Sequence, residues 1–144
     1  MTFARFLILT TFTLALACGN DDGSNTPADA GAPVCPDPTF TSIHTNVLSS
    51  ARCTACHFSA TPNFGNLAFG AGKDTAYTQL QTATFNTSAA QGMRVVASQP
   101  DNSFLYVKVT NAGAPGGIMP PGGMLTTCEV DAIRTWITNG AAND

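Results

Sequence analysis

One pentapeptide constrains this chain of 144 residues more than any other feature: Cys53-Thr54-Ala55-Cys56-His57. On a helical turn, positions i, i+3 and i+4 face the same way. Two thiols and an imidazole then project from one face, and the small Thr54 and Ala55 leave its edge uncrowded. The spacing C-x-x-C-H is the attachment pattern of c-type haem. Cys53 and Cys56 reach the two vinyl groups on one porphyrin edge as thioethers, and His57 sits under the iron as proximal ligand. Three other chemistries compete. A thioredoxin-like dithiol needs a βαβ context, and none is visible. A zinc site needs a fourth donor, and a second ligand pair at finger or ribbon spacing is missing. A structural Cys53–Cys56 disulfide leaves His57 without a role.

The N-terminus sets the compartment. One basic residue, Arg5, precedes an apolar run from Phe6 to Leu16. That run is shorter than the roughly 20 apolar residues of a membrane-spanning helix and fits the h-region of a secretory signal over residues 1–17. It ends in Leu14-Ala15-Leu16-Ala17-Cys18, which resembles the lipobox of bacterial lipoproteins. The resemblance implies lipidation at Cys18, which becomes the mature N-terminus on the exported side of a membrane. An ordinary cleaved signal beside an incidental cysteine is the alternative. Gly19, rather than Asp, follows the cysteine. By similarity to the sorting rule of well-studied Gram-negative bacteria, this implies a periplasm-facing anchor in the outer membrane.

Residues 18–34 are rich in Gly, Ala, Pro, Asn and Asp, with Val34 as the only large apolar residue. They cannot bury enough surface to fold alone and read as a flexible tether. One domain is expected over residues 35–144, large enough for a modest core. Charged residues make up only 10% of the chain and the formal net charge is −3. Six scattered basic residues cannot build a nucleic-acid footprint.

The domain reads as helices between long Gly/Pro-rich loops. Asp37-Pro38 or Thr39 opens a first helix, with Phe40, Ile43 and Val47 on one face. A weaker helix is expected over 74–81. Pro100-Asp101-Asn102-Ser103 leads into a third over 104–109, although Phe-Leu-Tyr-Val-Lys-Val also has strand propensity. The last helix has the clearest signature. Thr126 is its N-cap and Glu129 completes a capping box. Val130, Ile133 and Ile137 recur on one face beside Trp136, and Asn139-Gly140 is the stop. No convincing run of alternating strands is present.

A low-spin haem takes a sixth ligand, commonly Met or His. The candidates are Met93, Met119, Met124 and His44. Met119 lies in Gly116-Gly117-Ile118-Met119-Pro120-Pro121-Gly122-Gly123. Glycines let such a loop wrap closely over a flat cofactor, prolines stiffen it, and a neutral thioether suits an apolar pocket. Met124 sits at the mouth of the last helix, and Met93 reads as packing beside Val95 and Val96. His44 reads as a solvent-facing helix residue and is the route to bis-histidine ligation.

The order of these features resembles a family. A helix, then Cys-x-x-Cys-His, then Met119-Pro120-Pro121, then Ile133-x-x-Trp136-Ile137-x-x-Gly140-Ala141 is similar to the class I cytochrome c domain. The stretch Val95-Val96…Pro100-x-x-Ser103-x-Leu105-Tyr106 is similar to its short monohaem variety, found in bacterial lipoproteins and planctomycete-type modules. The resemblance covers residues 38–142. It implies an all-α fold wrapped around one covalent haem c, held by Cys53 and Cys56, with His57 proximal and Met119 distal. It also implies single-electron transfer with redox protein partners, not an enzyme. The lysine ring of mitochondrial-type relatives is missing, so strong electrostatic steering to an acidic partner is not expected.

Cys35 and Cys128 remain. In an oxidising compartment they most simply pair, and terminal helices pack together in the resembled family; two free thiols are the alternative. Glu129 and Asp131 read as partners of the helix dipole rather than a catalytic pair. Two other functions stay open. One is a haem-based sensor with a labile sixth ligand, and the other is a non-haem structural lipoprotein with a Cys/His metal site.

Overall fold

A computed structural model describes residues 35–59, 64–83, 92–111 and 113–144. The expected signal (1–17), the lipidation at Cys18 and the tether (18–34) lie outside the described residues. Five α-helices make up most of the regular structure: α1 Phe40–Ile43, α2 Ala51–His57, α3 Lys73–Leu80, α4 Phe104–Thr110 and α5 Thr127–Thr138. Among the described residues there is no strand, only an isolated bridge between Ala83 and Met93. The described domain is therefore all-α, and none of its helices is long and apolar enough to cross a membrane.

The first helix starts where its cap dictates. Thr39 accepts the Ser42 N–H at 3.2 Å. Phe40, Ile43 and Val47 are all fully buried. The expected continuous helix widens after Ile43 into a π-turn, His44–Leu48, closed by Ser49 N–H donating to the His44 carbonyl at 2.8 Å. In that wider register the adjacent Val47 and Leu48 are both buried. The helix expected at 74–81 runs from Lys73 to Leu80 and buries Ala76 and Leu80.

The strand propensity of 104–109 loses to packing. Leu105 and Val109, four residues apart, turn inward from α4. Ser103, fully buried, fixes the entry. Its hydroxyl accepts from Val96 N–H at 2.8 Å and donates to the Gln99 carbonyl at 2.9 Å. Buried polar groups are tolerated when satisfied in this way. In α5 the capping box is complete: Thr126 accepts from Glu129 N–H, and the Glu129 carboxylate accepts from Thr126 N–H at 2.7 Å. Gly140, at φ 103°, supplies the left-handed stop.

The core sits where α1, α3 and α5 meet. Phe40 stacks on Trp136 with ring centroids 5.1 Å apart and meets Tyr77 edge-on at 5.2 Å. The polar tips of these aromatics are tied off. Trp136 Nε1 donates to the Ala142 carbonyl at 2.8 Å, and the Tyr77 hydroxyl donates to the Ala141 carbonyl at 2.9 Å. The C-terminal segment also closes the start of α1: Phe40 N–H donates to the Asp144 carboxylate at 2.6 Å. A Cys35–Cys128 disulfide, with Cα atoms 5.3 Å apart, joins the segment before α1 to the first turn of α5. It closes a sequence separation of 93 residues, for which loop-closure entropy gives about 4–5 kcal/mol.

Candidate functional site

The chain leaves a cavity of about 340 Å³. Such a volume lies within the usual range of sites for small molecules and cofactors. Its walls are apolar, including Leu48, Leu67, Phe69, Leu80, Leu105 and Leu125. Cys53, Cys56, His57 and Met119 all line it.

The pentapeptide reaches the cavity because it forms α2. Ser50, extended at φ −66°, ψ 155°, starts that helix, and Thr54 Oγ1 donates back to the Ser50 carbonyl at 3.0 Å. One helical turn then sets Cys53, Cys56 and His57 toward the cavity at i, i+3 and i+4. Both cysteines are free thiols and half-buried, so the expected alternative of a Cys53–Cys56 disulfide is not what the structure contains. Burial pushes the Cys53 thiol up, which keeps it protonated. The His57 ring lies 5.3 Å from the Phe69 ring, tilted by 56°. Phe69 is carried by a 3₁₀ turn, Phe69–Ala71. Its middle residue must be glycine, because a Cβ on Gly70 would stand 2.3 Å from the Phe58 carbonyl oxygen.

Met119 comes from the loop after α4. Gly116 and Gly117 take φ 75° and 80°, a turn that β-carbons resist. The Met119 N–H donates to the Lys108 carbonyl at 2.7 Å, fixing the loop to α4. The other sixth-ligand candidates go elsewhere. Met124 is 69% exposed and Met93 is 39% exposed, so Met93 is not the packing residue that Val95 and Val96 suggested. His44 is half-buried rather than solvent-facing. Its Nε2 lies 3.0 Å from the Phe69 carbonyl oxygen and its ring is near Ser49 Oγ. None of these three lines the cavity.

Charge at the cavity is one-sided. Arg52, Arg94 and Lys108 line it, and no Asp or Glu does. Arg52 is satisfied by a bidentate pair with Glu129. The Glu129 carboxyl is held below its ordinary value by the Arg52 guanidinium, and Arg52 is raised in turn by the bond to Glu129. Arg94 differs. It is only 6% exposed, and its guanidinium donates to neutral oxygens: the Gln79 and Gly65 carbonyls, both at 2.7 Å, and Thr82 Oγ1. Burial pushes it down. The only ion pair among the described residues is Arg52–Glu129. The internal stretches outside them, 60–63, 84–91 and 112, contain no Asp or Glu. A buried cation is costly without a counter-charge, so the cavity is suited to an occupant that brings an acid group with it.

The residues fit haem c on chemistry. Two thiols and an imidazole share a helical face, a thioether lines the same cavity, the walls are apolar, and a buried guanidinium stands ready for a carboxylate. A tetrahedral zinc ion needs donors converging on one point. Among the described residues no group of three or more His, Cys, Asp or Glu side chains does so. Sequence reasoning placed the cysteines, His57 and Met119 but missed Arg94 and the Arg52–Glu129 pair. Neither has a spacing signal: Arg94 follows no periodicity, and the pair joins α2 to α5 across the fold.

No protein-family model, curated protein or solved structure matches this chain.

Proposed function

We propose that residues 35–144 form a monohaem c-type cytochrome domain that carries single electrons, exported and held at a membrane through a lipid on Cys18. The observation that carries the reading is the shared cavity: Cys53, Cys56 and His57 from α2 and Met119 from the distal loop line one apolar space. Haem supplies a one-electron couple that no amino-acid side chain in the cavity offers. Cys53 and Cys56 would hold it covalently, His57 and Met119 would ligate its iron, and Arg94 would compensate a carboxylate on it. The apolar walls exclude water, which with a His/Met donor pair favours a raised reduction potential. Its partners are other redox proteins, met without strong electrostatic steering.

The test is an absorption spectrum of the chain expressed with a haem-maturation system. Covalent haem with a Met–iron charge-transfer band in the ferric state supports the proposal. Met119→Ala abolishes that band while haem stays attached. Absence of covalent haem sinks the reading. Rapid carbon monoxide binding by the reduced wild type converts it to a sensor with a labile sixth ligand.

A further inference from the structure

The distal loop is nearly all small or cyclic residues between Gly113 and Gly123, and such a sequence has little intrinsic reason to hold one conformation. Its own turns are local: Ala114 N–H donates to the Asn111 carbonyl at 3.0 Å and Gly117 N–H to the Ala114 carbonyl at 2.7 Å. Its hydrogen bonds to α4 and its C-cap, among the described residues, come from Asn111, through backbone and side chain, and from Lys108, likewise through both. The Lys108 ammonium donates to the Pro115 carbonyl at 3.1 Å and to the Gly117 carbonyl. Its stem crosses α4 so that Nζ stands 5.8 Å from the Phe104 ring centroid. The carbonyl of the same residue accepts the Met119 N–H. Lys108 thus grips residues 115, 117 and 119 from one position. It has no carboxylate partner among the described residues, so its bonds to the loop are its main electrostatic reward.

We propose that Lys108, which also lines the cavity, is the positioning residue that holds the Met119 thioether at it, acting through the loop backbone. The proposal rests on the haem reading for its spectroscopic arm only. Lys108→Leu keeps an apolar stem, removes the three donors and adds no thioether to the cavity. In the haem-loaded full chain, K108L retains covalent haem and helix content but loses most of the Met–iron band. Its reduced form binds carbon monoxide roughly tenfold faster or more, the scale set by losing charge-assisted hydrogen bonds. K108R, which keeps a cation on a long stem, restores the band in part. An unchanged band and unchanged carbon monoxide rate in K108L overturn the proposal.

A second measurement needs no variant to fold. Hydrogen exchange on the wild-type chain reports the Met119 amide, which the clamp protects to a level comparable with the amides of α4. Exchange at the rate of an open loop overturns the proposal. Lack of haem in the wild type removes the functional reading, while the exchange result still judges the clamp.

Discussion

The aromatic corner and the cavity wall are built from similar residues to opposite ends. At the corner, Phe40, Tyr77 and Trp136 fill the space between α1, α3 and α5 with the chain's own rings, and each polar tip has a backbone partner. At the cavity, Leu48, Leu67, Phe69, Leu105 and Leu125 belong to or pack against the same cluster but also line an opening. Arg94 is buried there with neutral partners only. Protein interiors are normally close-packed and their charges compensated. The corner obeys both rules unaided, and the cavity wall would obey them with the apolar, acid-bearing group proposed above in place. The contrast separates the part of the fold that provides stability from the part that provides a site.

Three measurements break or sharpen this contrast. The largest effect is expected at the corner. Trp136→Ala removes a fully buried ring and its bond to Ala142 and costs about 3–5 kcal/mol in denaturant unfolding. A loss below about 1 kcal/mol would mean the corner is not the closed half.

Arg94→Gln acts on the open half. On the haem reading, a haem carboxyl beside Arg94 would then hold its proton to higher pH, because its cation is gone. The midpoint potential becomes pH-dependent where the wild type is flat, and unfolding loses about 1–3 kcal/mol, the usual scale for a charged hydrogen bond. A flat potential in R94Q places the carboxylate elsewhere.

The smallest effect joins the two halves. Glu129 caps α5 and pairs with Arg52 of α2. Its folded value lies below the unfolded one, chiefly through Arg52. The stability it adds is therefore fully present above the unfolded carboxylate range and is lost as pH falls through the folded value. Glu129→Gln keeps an acceptor for the capping box and costs about 1 kcal/mol or less at neutral pH, chiefly through the partly exposed ion pair with Arg52. The difference from wild type should shrink on acidification, and a constant difference across pH would show that the charge is not what matters.

Local signals gave away much of this fold. Thr126 and Glu129 announced α5 because a capping box is written in adjacent residues. Phe40, Ile43 and Val47 marked a buried face by spacing, although the π-turn at His44–Leu48 has no pattern of its own. The helix expected over 104–109 is present despite the segment's strand propensity, because Leu105 and Val109 at helical spacing give it an inward face. Met93 misled because adjacent valines say nothing about which side of an irregular segment faces out.

By itself the sequence determined which residues make up the proposed donor set. Cys53, Cys56 and His57 are fixed on one face by 3.6-residue helical geometry, and Met119 is set among glycines and prolines, all properties of neighbouring residues. Only the tertiary structure decided that Met119 rather than Met93, Met124 or His44 lines the cavity with them. It alone put Arg94 into the wall without a carboxylate and wrapped Lys108 around the distal loop. Arg94 reaches residues 12 to 29 positions away, and Lys108 reaches from α4 into the loop that follows it. Burial and charge compensation depend on what the fold brings together, which no spacing within a segment can encode.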